Sequence, residues 1–167
     1  MQLHLLPLRW TAQRPDWAAA AVAGFGAGGV LMLLELFWSS VVLDGNPWPA
    51  TRMVAALAMG EAVLRESGFS LVVLGAALAL HYALGTLYGL LLVAIVVACG
   101  LEPRAFMAAL AGAVFGLLLY IVNFYGVAQA FPWFTALRGA ATATTHVVFG
   151  TAVVVFYLAL ERPAWRR

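Results

Sequence analysis

Glu35, His81, Asn123 and His146 stand in long apolar runs, where ionisable and amide side chains are out of place. Their spacing is not random. Gly24 precedes Glu35 by the same eleven residues that separate Gly112 from Asn123, and His81 and His146 each stand four residues before a glycine, Gly85 and Gly150. A carboxylate, two imidazoles and a carboxamide oxygen can ligate a divalent ion, and His/Glu chains move protons in membranes. Two imidazoles can also be the axial ligands of a haem. Within hydrocarbon a charged side chain at a helix centre costs about 2.5–3.5 kcal/mol on the mildest scale, so Glu35 must be paired, hydrated or protonated. A histidine is its expected partner.

What positions these residues is an internal repeat. "AGFGAG" at 23–28 and "AGAVFG" at 111–116 share A-G-x-x-x-G; after them come Glu35 and Asn123, then the two "PW" pairs Pro47–Trp48 and Pro132–Trp133. Arg52 and Arg138 follow, and then "HYALG" at 81–85 and "HVVFG" at 146–150. Five matches in one order predict two tandem helix hairpins, repeat 1 over about 17–100 and repeat 2 over about 105–162, in a single domain covering 1–167. Each copy holds two spans, so the copies share one orientation and their pseudo-two-fold axis runs along the membrane normal.

The elements are helices. The chain is 65% hydrophobic and 10% charged, with a mean hydropathy of +0.97, against roughly 25% charged residues in soluble domains. Four continuous apolar runs, Trp17–Leu43, Leu71–Cys99, Ala105–Ala128 and Gly139–Leu160, are long enough to cross ~30 Å of hydrocarbon as helices. Barrel strands would alternate over about ten residues instead. The first run begins after Asp16 without a convincing cleavage site, so it reads as a retained span. The expected fold is all-α: an integral membrane four-helix bundle in contact with the lipid bilayer.

Small residues mark helix interfaces in membranes. Gly24, Gly28, Glu35 and Ser39 form one stripe, and Gly112, Gly116, Tyr120 and Asn123 a second. His81, Gly85 and Tyr88 form a third, and His146, Gly150, Val153 and Tyr157 a fourth. At 1.5 Å per residue, the polar members lie roughly 8–15 Å below one face. The expectation is one buried polar layer of Glu35, His81, Asn123 and His146.

Charge sets the orientation. All nine basic residues are arginine. Arg9, Arg14, Arg104, Arg162, Arg166 and Arg167 fall on the side of the termini, and Arg52, Arg65 and Arg138 on the other, which predicts cytoplasmic termini. Arginines scattered over helix ends do not suit nucleic acid. In the loop from Asp44 to Ser70, "DGNPWPATR" leads into "MVAALAMGEAVLRESG", where Met53, Leu57 and Leu64 share a face, so a short interfacial helix is expected. Trp17, Trp48, Trp133 and Trp165 fall at span boundaries, as an aromatic belt requires. Cys99 reads as an apolar filler. The chain has no G-x-S-x-G, H-E-x-x-H or Walker sequence, which argues against an enzyme.

With P-W-x-x-x-R, then "MVAALAMG", then H-x-x-x-G-x-x-Y-G at 81–89, the chain resembles a group of small four-span bacterial inner-membrane proteins. The resemblance covers nearly the whole chain and implies a bacterial cytoplasmic membrane location and four helices. It carries no catalytic residues across.

Three roles fit the polar layer. In the first it is a hydrogen-bonded lock on helix register, each bond worth about 0.6 kcal/mol, in a small accessory or scaffold subunit of a larger membrane complex, respiratory or electron-transfer in kind, or of a homo-oligomer. In the second, His81 and His146 are axial ligands of a b-type haem, with Gly85 and Gly150 leaving room for the ring and Arg52 and Arg138 pairing with propionates. In the third, His81, His146 and Glu35 hold a divalent metal or carry protons.

Overall fold

The computed structural model describes residues 14–42 and 45–161. Arg9, Trp165 and the arginines at 162, 166 and 167 lie outside them. Among the described residues the chain is helical with no strand. Helix α1 covers Trp17–Val42, α2 Trp48–Met59, α3 Leu71–Ala98, α4 Ala105–Ile121 and α5 Ala140–Leu160. The four helical segments Trp17–Val41, Leu71–Ala98, Ala105–Gln129 and Ala140–Leu160 are long and apolar enough to cross a membrane. This is a multi-pass membrane protein, and its helix ends agree with the sequence to within two residues at every span start.

Local chemistry sets those ends. Asp16 Oδ1 accepts the Ala19 amide at 3.2 Å, and Ser70 Oγ accepts the Val73 amide at 3.4 Å, each satisfying an amide that the first helical turn leaves open. At the end of α3 the Leu101 amide bonds the Val96 carbonyl and the Gly100 amide the Val97 carbonyl, with Gly100 at φ 62°. That is a glycine-terminated helix stop at "GLEPR".

The helices meet through glycine. A Cβ on Gly24 would strike the Gly85 carbonyl oxygen at 2.7 Å, and one on Gly89 would overlap the Gly24 Cα. In the same way Gly112 abuts the Gly150 backbone and Gly116 the His146 carbonyl. Such approach lets backbones make van der Waals contact where no hydrophobic drive separates helix from lipid. Ala20, Ala23, Ala27, Leu92, Val93, Val96, Phe149, Val153, Val154 and Tyr157 fill the core on the side of the termini. There the Asp16 amide donates to the Tyr157 hydroxyl at 3.3 Å, tying the start of α1 to the end of α5. Phe25, Leu33, Leu87, Leu91, Phe106, Leu118 and Val155 face outward, and in a bilayer they contact lipid.

Two expectations change. The helix in the first long loop stops at Met59, because Gly60 turns the chain at φ 86°; Leu64 therefore belongs to a separate 3-10 turn, Glu61–Arg65, and not to the face of Met53 and Leu57. The third span is not a continuous α-helix to Ala128. It widens into a π turn at Val122–Gly126 and tightens into a 3-10 turn at Val127–Gln129.

Candidate functional site

At the end of the bundle away from the termini, α1, α2, α3 and the start of α5 enclose a cavity of about 490 Å³. Met32, Glu35, Trp38 and Ser39 of α1 form one wall, Ala50, Thr51 and Val54 of α2 a second, and Leu74, Leu78 and His81 of α3 a third. Residues 136–142 and Thr145 close the fourth. The volume falls within the ~300–1,000 Å³ of small-molecule sites.

Glu35 and His81 line this cavity; Asn123 and His146 do not. Only two of the four residues therefore share the cavity. His81 Nε2 stands 2.8 Å from the Gly28 carbonyl oxygen on α1, and since that oxygen only accepts, Nε2 carries the proton. His146 instead turns back along its own helix, Nδ1 donating to the Thr142 carbonyl at 2.9 Å. It is buried and packs edge-on to Tyr120 and Phe124, 6.0 and 5.4 Å between ring centroids. Asn123 lies in the π turn, partly buried. Among the described residues Glu35 has no hydrogen bond and no ion pair, so a Glu35–His81 bond is absent.

The gaps expected beside the histidines are closed. The Gly24 carbonyl and Gly28 Cα would each lie 3.3 Å from a Cβ at Gly85, and Gly150 faces the Gly112 backbone. Neither glycine leaves the opening that a haem ring would need there. Among the described residues no three of His, Cys, Asp and Glu converge as a metal-binding group.

The two arginines are held by the fold rather than presented to an anion. Arg52 is buried and donates through Nη2 to the Gly68 carbonyl, fastening the chain after α2 to that helix. Arg138 donates through Nε to the Phe124 carbonyl at 2.7 Å, with its guanidinium carbon 4.3 Å from the centre of the Tyr125 ring. Phe124 lies where α4 opens into the π turn, and a cation suits the negative end of a helix. Trp133 Nε1 donates to the Met53 carbonyl at 3.1 Å, joining the loop before α5 to α2. The Tyr120 hydroxyl accepts the Gly139 amide at 3.1 Å.

Sequence spacing missed the contribution of Trp38, which lies off the glycine stripe of α1, and of Thr51, Ala136, Leu137 and residues 139–141, which a separate helix, a loop and the start of α5 bring to the cavity. Ser39 was on the first stripe, and it is buried at the cavity edge. Thr145 Oγ1 donates to the Thr142 carbonyl at 2.9 Å, an intrahelical hydroxyl-to-carbonyl bond, and both threonines line the cavity.

Compared with known protein families, with characterised proteins and with solved structures, the chain matches none.

Proposed function

We propose that this chain is a small ligand-binding accessory protein of the bacterial cytoplasmic membrane, with both termini cytoplasmic and its cavity on the outer side. The observation that carries this reading is the cavity of about 490 Å³, whose one carboxylate, Glu35, has no partner among the described residues. An apolar pocket with a few convergent polar groups is the default binding site of a membrane bundle as of a soluble one, and an intramembrane carboxylate is a functional group by default.

The architecture we assign to it is two tandem hairpins. In support, α1 meets α3 through Gly24, Gly85 and Gly89, and α4 meets α5 through Gly112, Gly116 and Gly150. We read α2 as an interfacial helix, because its 12 residues are too few to span and it packs along α3 by Ala55 against Val73 and Ala77. Orientation follows from arginine: six of nine lie on the side of the termini, and two of the other three, Arg52 and Arg138, are tied to carbonyl groups of the fold. As an accessory protein it would serve a larger membrane complex or a second copy of itself through its lipid-facing helices.

The test is to purify the protein from bacterial membranes in mild detergent, extract it with organic solvent and compare the extract by mass spectrometry with that of Ala141→Trp, which adds an indole at a residue lining the cavity. A compound enriched near stoichiometry with the native chain and lost from the variant is expected. Identical extracts from two folded proteins would overturn the binding reading.

A further inference from the structure

We infer that the cavity holds an ammonium group at Glu35, with the apolar body of the same molecule filling the rest. This rests on the reading of the cavity as a binding site and names what it binds. The ligand class is a lipophilic amine, free or in the form of an ethanolamine lipid headgroup.

The argument is an inventory of the hydrogen-bonding groups around the cavity. His81 Nε2 donates to the Gly28 carbonyl at 2.8 Å, so in the neutral ring Nδ1 is left as an acceptor. Thr51 Oγ1 donates to the Pro47 carbonyl at 3.0 Å, and Thr145 Oγ1 to the Thr142 carbonyl at 2.9 Å. The Arg138 Nε proton is committed to Phe124, and its guanidinium lies over Tyr125. The carboxylate of Glu35 has no donor aimed at it among the described residues. Of the two charged groups in the lining, Arg138 is engaged by Phe124 and Tyr125 and only the Glu35 carboxylate is left without a complement; the Ser39 and Thr142 hydroxyls and the Trp38 indole share a lining otherwise built of apolar side chains such as Met32, Leu74, Leu78 and Ala140.

The Glu35 side chain is partly buried, and a carboxylate withdrawn from water has to be compensated or protonated; among the described residues no cation pairs with it, the Arg138 guanidinium of the same lining being engaged at Phe124 and Tyr125. An entering ammonium would supply three donors and a positive charge, and charge-assisted bonds of this kind are roughly twice as strong as neutral ones. An anionic ligand would instead set two carboxylates together. A divalent ion would want more protein oxygen or nitrogen ligands than converge here.

The experiment uses the full chain in phosphatidylglycerol nanodiscs, titrated calorimetrically against empty nanodiscs with three probes of one shape: 4-phenylbutylamine, 4-phenylbutan-1-ol and 4-phenylbutanoate. The amine should bind about tenfold more tightly than the alcohol, and the carboxylate should not bind. Glu35→Gln should equalise amine and alcohol, and Ala141→Trp should remove both. Equal binding of amine and alcohol by the native chain, a preference for the carboxylate, or an amine preference that survives Glu35→Gln would each overturn the ammonium assignment while leaving the cavity reading intact. No binding of any probe to the folded native chain would overturn both. Repeating the titration in nanodiscs containing phosphatidylethanolamine separates the sources: a weakened amine affinity identifies the lipid headgroup as the occupant, and an unchanged one a free amine.

Discussion

Glycines that look equivalent along the chain do unequal work. Gly24 and Gly28 belong to one A-G-x-x-x-G pattern, yet a Cβ on Gly24 meets the Gly85 carbonyl oxygen at 2.7 Å, whereas one on Gly28 meets nothing nearer than 3.8 Å. What Gly28 contributes is its carbonyl, the acceptor for His81. At Gly116 an added methyl would overlap the His146 carbonyl, a backbone group that cannot move aside alone. Overpacking of this kind costs about 1–3 kcal/mol. Gly24→Ala and Gly116→Ala should therefore lower stability by that amount in reversible unfolding from mixed micelles. Gly28→Ala should be nearly neutral. At Gly75, where nothing lies within 4 Å of an added Cβ, alanine should be neutral or stabilising by up to ~0.5–1 kcal/mol, since glycine is the poorer helix former. The repeat pattern named these glycines as a class; only the distances separate the ones that are sterically required.

At the scale of elements, the two loops at the end of the bundle away from the termini differ although both contain "PW". In the first, Trp48 stacks edge-on with Phe69 at 5.0 Å and Arg52 is bound to Gly68, so that α2 and the segment after Gly60 form one unit against α3. In the second, Trp133 reaches across to Met53 of α2, and Arg138 closes on the π turn. Arg52→Met keeps the apolar stem and removes the donor to Gly68. A hydrogen bond from a charged group is worth about 1.5–3 kcal/mol, so amide exchange over 61–69 should quicken while α2 keeps its protection. Unchanged exchange there would mean that Arg52 does not hold the loop. Helicity itself was legible: Ser70, Asp16 and Gly100 mark ends where the sequence placed them. The π turn was not, because it answers a demand from distant residues. Tyr120 and Phe124 pack on His146, and the Phe124 carbonyl is turned to Arg138.

At the scale of the whole molecule, the proposed orientation makes a direct prediction. In a Cys99→Ser background, Ser67→Cys should react with a membrane-impermeant maleimide in intact cells, and Pro103→Cys only after the membrane is opened. The opposite pattern would invert the bundle and turn the cavity toward the cytoplasm. The sequence by itself determined that this is an all-helical chain with four apolar helices long enough to span a membrane, where they begin, and that glycines line their contacts. Length, hydropathy and capping residues act locally, within one helix turn or one span, so they can be read in order along the chain. What only the tertiary structure decided is the company each polar residue keeps. Facing walls of α1 and α3 bring Glu35 and His81 to the cavity, whereas His146 faces an aromatic cluster and Asn123 lies in a widened turn. An equal spacing from a glycine sets a residue's height and approximate face. Its surroundings depend on the tilt of the partner helix, and on a loop helix and a π turn that the two halves do not share.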